Sequence, residues 1–385
     1  MLTKNISFKN FDSKKPDRKI LQALRTLKKE KNEIIKSLGK NYKNSFDKKI
    51  LKKYKKISQF NIIGMGGSIL GARTIYSFLK HKIKKNFSFH DSYFFKNSNL
   101  NKKSSVNIII SKSGNTLETI SNSNVLIKNN RKNIFITENK KSYLMSLAEK
   151  LKSDVVHHNN FIGGRYSVLS EVGMLPANLM GLNEQKFKRY NELIKNKKFL
   201  NLLLSNVSSK LYLAKKKFNS VILNYDQKSN DLFYWYQQLV AESLGKNKKG
   251  IFPIVSSMPR DNHSLLQLYL DGPKKNFFTF FFVNQNNSHR LNNKQLLKSH
   301  SFLKNKNLNK ISYSQFNATL KVFKNKKIPF RCFNVKKRTE ETLGELFTFF
   351  ILETILLGKA MAINPYDQPA VELVKRETKK FLIKS

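Results

Sequence analysis

Val106-Asn107-Ile108-Ile109-Ile110-Ser111-Lys112-Ser113-Gly114-Asn115-Thr116-Leu117-Glu118-Thr119 runs from an apolar segment into a hydroxyl-rich turn and then a helical pattern. The run Val106 to Ile110 reads as a buried strand, so the hydroxyls sit where a strand hands over to a helix. Ser111, Ser113 and Thr116 offer donors, Gly114 allows close backbone approach, and the N–H groups at the start of a helix favour a dianion. The segment reads as a cradle for a phosphorylated small molecule, without saying what chemistry follows.

Outward from this turn, short strands alternate with helical patterns. Phe60 to Ile63, Phe87 to Phe89, Val106 to Ile110, Ile134 to Ile136 and Val155 to His157 are the candidate strands of a first α/β unit. After a Lys/Asn-rich stretch around 183–198 the pattern restarts with Val221 to Leu223, Phe277 to Val283 and Arg331 to Val335, predicting a second α/β unit. Residues 1–55 carry Ile20, Leu21, Leu24, Leu27, Ile34, Ile35 and Leu38 at helical spacing and read as an amphipathic helical arm. The expected organisation is an arm over 1–55, α/β domains over 56–185 and 200–355, and a C-terminal turn and helix over 356–385.

The 385 residues suffice for two domains with separate cores. No charged-then-apolar leader occupies Met1 to Lys15, and the most apolar stretch, Leu346 to Leu357, is interrupted by Thr348 and Glu353. A cytoplasmic protein without membrane spans is therefore expected. The single Cys332 cannot form an internal disulfide and reads as a core or strand residue. Lys and Arg number 73 against 25 acids, a formal charge of +48. Because these lysines are scattered through nearly every segment, they read as solvated faces. They would draw in anionic substrates and allow only salt-sensitive, non-specific nucleic-acid binding.

Gly64-Met65-Gly66-Gly67-Ser68-Ile69-Leu70-Gly71 follows a strand and opens a helix. A dinucleotide fingerprint needs glycine where Ile69 stands, and no P-loop ending is present, so neither nucleotide cofactor is expected. Gly66, Gly67 and Ser68 instead suit a ligand's hydroxyls or phosphate held against backbone, or simply a tight turn. Arg165 follows Gly163-Gly164, where its guanidinium can reach an oxyanion. The helical pattern Asp231 to Leu244, stopped by Gly245 as a left-handed cap, places Gln238 and Glu242 four apart on one face. Glu242 is a candidate general base, although spacing alone favours an ordinary ion pair with Lys246. His263 lies between a turn and an apolar run. Adjacent His157 and His158 point to opposite faces of a strand, and no metal-ligand spacing occurs, so no metal is expected. Near the C-terminus, Gln368 and Lys375 would share a helical face if the helix begins early.

In this order Gly66 to Gly71, Ser111 to Thr119, Gly163 to Ser170, Gln238 to Lys246, Asp261 to Ser264 and Asn364 to Lys375 resemble the glucose-6-phosphate isomerase family. That family is built on two doubly wound, parallel-sheet sugar-isomerase (SIS) domains. The resemblance implies an α/β fold and reversible conversion of glucose 6-phosphate to fructose 6-phosphate through a cis-enediol, without metal or cofactor. By it, Ser111, Lys112, Ser113 and Thr116 hold the phosphate, with Gly67 and Ser68 against the sugar. Glu242 moves the proton, Arg165 stabilises the enediolate, His263 and Lys375 serve ring opening, and Gln238 and Gln368 orient substrate. The histidine comes from a neighbouring subunit, which implies a homodimer with shared sites. Asn262, Ala370 and Glu171 depart from the family's common Gln, Gly and small or proline residues. Two other readings stand beside it. One is a bifunctional enzyme that also takes mannose 6-phosphate, and the other is a non-catalytic SIS sugar-phosphate sensor that binds DNA.

Overall fold

The computed structural model describes residues 1–12, 15–94, 105–128, 132–285 and 288–384. Among the described residues ten strands form two sheets: β1 (Ile6–Lys9), β2 (Gln59–Gly64), β3 (Asn86–His90), β4 (Ser105–Ile110), β5 (Lys132–Thr137), β6 (Asp154–His157), β7 (Asn219–Asn224), β8 (Phe252–Ser257), β9 (Asn276–Val283) and β10 (Phe330–Val335). The first sheet has the order β3-β2-β4-β5-β6 and is parallel throughout. Every residue of β4 is buried, as expected of a central strand covered on both faces. The strand order reverses between β2 and β4, so the loops leaving their carboxyl ends, at Gly64 and Ser111, open onto one crevice.

Three buried asparagines lie in register across this sheet. Asn61 Nδ2 donates to Asn107 Oδ1 at 2.9 Å, and Asn107 Nδ2 donates to Asn133 Oδ1 at 2.9 Å. Each amide thus meets the hydrogen-bonding needs of the next, which removes the cost of burying them singly.

The second sheet has the order β1-β10-β9-β7-β8, with β7, β8, β9 and β10 parallel. Two of its strands correct the sequence reading. β1 pairs antiparallel with β10, Ile6 opposite Val335 and Phe8 opposite Phe333, so the N-terminal arm begins as a strand rather than a helix. Its four residues alternate buried and exposed, a period of two that helix-spaced residues downstream obscured. β8 contains Pro253 and an exposed Phe252. Both are tolerated because β8 is a sheet edge, where a missing N–H breaks no ladder.

The two sheets meet through helices. The Gly67–Leu79 helix, which follows β2, packs on the Asn230–Leu244 helix, which follows β7. Beside them runs the Glu340–Ala360 helix, which is buried along nearly its whole length. It packs against the Asn230–Leu244, Arg18–Lys29 and Lys197–Ala214 helices, and this accounts for the long apolar stretch within it. Among the described residues no helix is long and apolar enough to cross a membrane.

Candidate active site

The Ser111 turn is held by its own hydroxyls. Ser111 Oγ and Thr116 Oγ1 lie 2.8 Å apart, and Ser113 Oγ accepts from Asn115 N at 3.2 Å. Gly114 has φ +67°, and a Cβ there would sit 2.2 Å from Ser142 Oγ, so only glycine fits. Thr116 occupies the cap position of the Leu117–Leu126 helix without a side-chain cap bond. The first-turn N–H groups therefore face the turn uncapped by a side chain, as an anion site requires. Lys112 Nζ donates to Asn160 O at 2.7 Å and lies 3.5 Å from Glu138, tying the turn to the segment that leads into Gly163 and Gly164.

Arg165 stands in the 3₁₀ turn Gly164–Leu169 with its side chain only 1 % exposed. Its Nε donates to Ser243 Oγ at 2.8 Å. Nη1 donates to Glu242 Oε2 at 3.2 Å and to Gln368 Oε1 at 2.7 Å, and Nη2 to the carbonyls of Pro365 and Asp367 at 2.8 and 3.1 Å. All five donors are engaged, so the guanidinium is fixed in position and orientation. Trp235 Nε1 anchors the Arg165 carbonyl at 3.1 Å. Tyr166 OH lies 2.8 Å from Ser243 Oγ and donates to Pro365 O at 2.9 Å, which holds the same corner from the other side.

Glu242 is on the Asn230–Leu244 helix with its side chain 32 % exposed, and its other oxygen accepts from Gln238 Nε2 at 2.8 Å. Its partner is thus Arg165. Lys246 bonds Asp367 at 2.8 Å instead, contrary to what spacing favours, because the C-terminal turn folds over this helix end. Gly245 does not cap the helix in the left-handed region. Its φ is −77°, and its N–H donates to Ala241 O at 2.9 Å in the ordinary helical manner.

The glycine turn lies against both groups. A Cβ on Gly66 would sit 2.7 Å from Gln238 Nε2, and one on Gly67 only 2.2 Å from the carbonyl carbon of Gly164. Gly67 is therefore buried against the Arg165 turn, and Ser68 is half-buried beside it in the first turn of its helix. A cleft of about 610 Å³ brings Lys112, Gly163, Gly164 and Gln368 together with Glu33 and Tyr366.

His263 and Lys375 are placed elsewhere. His263 is exposed at the end of the Arg260–Asn262 turn. Lys375 is on the exposed Val371–Lys384 helix, where its Nζ pairs with Glu372 at 2.6 Å. Gln368 precedes that helix by a turn containing Pro369, so the two do not share its face. Among the described residues no His, Cys, Asp or Glu group is placed to hold a metal.

Several supporting residues gave no signal in periodicity. Buried Glu171 accepts from Tyr42 OH at 3.0 Å and Asn159 N at 2.7 Å and lies 3.3 Å from His158 Nδ1, which accommodates an acid in that position. Burial pushes its carboxyl up, but His158 and the Asn159 N–H outweigh this and hold it below the usual range. Lys188 is fully buried and donates to Ser37 O at 2.6 Å and to Leu169 O, the last residue of the Arg165 turn. Ser243 and Tyr166 were legible only as neighbours of Glu242 and Arg165.

The phosphoglucose isomerase family model matches residues 28–384. The chain belongs to the phosphoglucose isomerase family. It is 33 % identical over 359 residues to the glucose-6-phosphate isomerase of Methanocaldococcus jannaschii, covering 85 % of each chain. It is also 33 % identical over 358 residues to that of Mycoplasmopsis pulmonis, covering 84 % of this chain and 82 % of the other. In fold it is similar to a hypothetical protein from Thermus thermophilus, with TM-score 0.82 at 22 % identity and 94 % of each chain covered. It is likewise similar to the Chlamydia trachomatis glucose-6-phosphate isomerase, with TM-score 0.66 at 19 % identity, covering 91 % of this chain and 73 % of that one. The fold of this phosphoglucose isomerase family member is thus the double α/β architecture expected from its sequence.

Proposed function

We propose that this chain interconverts glucose 6-phosphate and fructose 6-phosphate by moving one proton between C2 and C1 of the open-chain sugar. The observation that carries the reading is the Arg165–Glu242 pair, 3.2 Å apart, on elements that pack on the glycine turn beside the Ser111 crevice. In this reading Ser111, Ser113, Thr116 and Lys112 hold the phosphate, and Glu242 takes the C2 proton to leave a cis-enediolate. The O2 hydroxyl proton passes to O1, and the proton held by Glu242, or one exchanged with water, returns at C1 as the carbonyl forms at C2.

The engaged donors of Arg165 give this step a coupling. While Glu242 is a carboxylate it occupies one Nη1–H. When it takes the proton its negative charge disappears, that bond weakens, and the donor becomes available to the oxyanion formed in the same event. Gln238 and Gln368 hold the carboxylate and the guanidinium in register.

His263 and Lys375, both exposed on one protomer, are assigned to ring opening, with His263 supplied by a second copy. Support for that copy comes from the Val371–Lys384 helix, which has no buried residue and exposes Val374 and Phe381, seven apart on one face. Such a face suits an interface. A coupled assay for glucose 6-phosphate formation tests the function, with mannose 6-phosphate as a parallel substrate. Turnover by the unaltered protein and a loss on the order of 10²-fold or more in Glu242→Gln are expected. An inactive protein, or a variant retaining most of its rate, would sink the assignment.

A further inference from the structure

The second sheet repeats the strand order of the first, with β7 in the place of β2 and β9 in the place of β4. Its order reverses between β7 and β9, and ligands of open α/β sheets lie outside the carboxyl ends of the strands at such a point. A cavity of about 320 Å³ opens there. Lys228 enters it from the loop after β7, Asn284 and Gln285 from the end of β9, and Lys336, Lys337 and Arg338 from the segment after β10. None of these residues belongs to the isomerase cleft.

The scattered lysines of this chain do not account for how the cavity is built. The Arg338 side chain is 8 % exposed and lies over the Phe78 ring at 5.0 Å. Its Nη2 bonds Asp226, while its buried Nη1 has no hydrogen-bond partner among the described residues. A buried donor left unpaired is costly, and an incoming acceptor relieves that cost. Asp226 offsets one positive charge and is further bonded by Ser229 Oγ, with Gln285 Nε2 at 3.5 Å. Lys228, Lys336 and Lys337 have no ion pair among the described residues, so the cavity keeps a positive surplus.

Two further features point the same way. Thr339, which also lines the cavity, caps the 21-residue Glu340–Ala360 helix, and its Oγ1 accepts from Thr342 N at 3.2 Å. That directs the positive helix end at the cavity. The first-turn acids are turned to other cations, Glu340 to Lys82 and Glu341 to Lys186 at 3.6 Å. His81 lines the cavity beside Arg338, and burial, then the charges of Arg338, Lys82 and Lys228, lower its affinity for a proton. Burial is the larger cause, and the neighbouring cations add to it.

We propose that this crevice binds a small phosphorylated molecule through its phosphate, as a second anion site in the domain that lacks the Ser111 turn. A cavity of this size admits a small ligand rather than a polymer, and the Asn284 and Gln285 amides can meet hydroxyl groups attached to the phosphate.

The test is calorimetric titration of the full chain at about 0.15 M salt, with inorganic phosphate in one arm and glucose 6-phosphate in the other. Ser113→Ala with Thr116→Val silences the Ser111 cradle. In that background one saturable phosphate site per chain is expected to remain. Adding Lys228→Gln and Lys337→Gln, which leaves the Arg338–Asp226 pair intact, should weaken it by about 10-fold or more. Tighter binding of the ester identifies a phosphorylated metabolite as the occupant, and equal binding identifies free phosphate. Loss of all binding in the cradle variant, or indifference to the lysine changes, overturns the proposal. If a variant does not fold, the His81 ring resonance of the unaltered protein carries the test. It should move with phosphate in a step separate from the turnover site, and a resonance that stays still overturns the inference.

Discussion

Gly67 and Lys188 show how much of the Arg165 geometry depends on single residues outside the chemistry. Gly67→Ala would put a methyl group 2.2 Å from the Gly164 carbonyl carbon, which no rotamer change can relieve. A loss of about 1–3 kcal/mol or more in urea unfolding is expected, together with reduced turnover, as the Arg165 turn is pushed away. Lys188 is pushed down to about 7 by burial, which Glu184 and Glu171 only partly oppose. Its folded value lies below the ordinary 10.5, so between those limits the unfolded chain binds the extra proton and stability rises with pH. The stability of the unaltered protein relative to Lys188→Met should therefore grow across that window by on the order of a few kcal/mol. A difference that does not change with pH would contradict the assignment. At this scale the candidate residues were legible, but their partners were not. Arg165 stood out behind two glycines, yet nothing in spacing could tell that Glu242 would turn to it and leave Lys246 to Asp367. Those partners lie 77 and 121 positions away, and only the packed helices bring them together.

Elements carry the next level of evidence. Glu353, in the middle of the most apolar helix, is bonded by Arg331 of β10, by Asn206 and by Lys210, which lies 3.1 Å away, while Tyr236 OH donates to it at 2.9 Å. Burial alone would raise its carboxyl, and Arg331 and Lys210 together bring it down to about 2. The stabilisation is fully present above the ordinary 4.5 and is lost as pH falls through the folded value. Glu353→Gln leaves two buried cations without their counter-charge, and a loss of about 3–5 kcal/mol in denaturant unfolding at neutral pH is expected. An unchanged midpoint would show that the network is inessential. In sequence this glutamate marked only an interruption of an apolar stretch. The central strands were readable because burial on both faces demands continuous apolar runs. Of the four edge strands, β3 and β6 were read from their apolar residues, whereas β1 was hidden by its short alternation beside helix-spaced residues and β8 by its proline.

Across the whole molecule, the proposal that sites are shared between copies makes a prediction that no single protomer can test. If His263 of one copy completes the site of another, Glu242→Gln and His263→Gln chains are each inactive alone. When they are unfolded together and refolded, half of the random pairs are mixed, and each mixed pair has one intact site. Roughly a quarter of the unaltered activity should return. No recovery would mean that each chain completes its own site.

The contact between Gly67 and Gly164 is made by main chain on both sides. Lysines are scattered through nearly every segment of this chain, yet such a joint offers no side chain to alter. The spacing between the glycine turn and the arginine is therefore set by backbone alone, and substitutions among the many surface lysines leave it untouched.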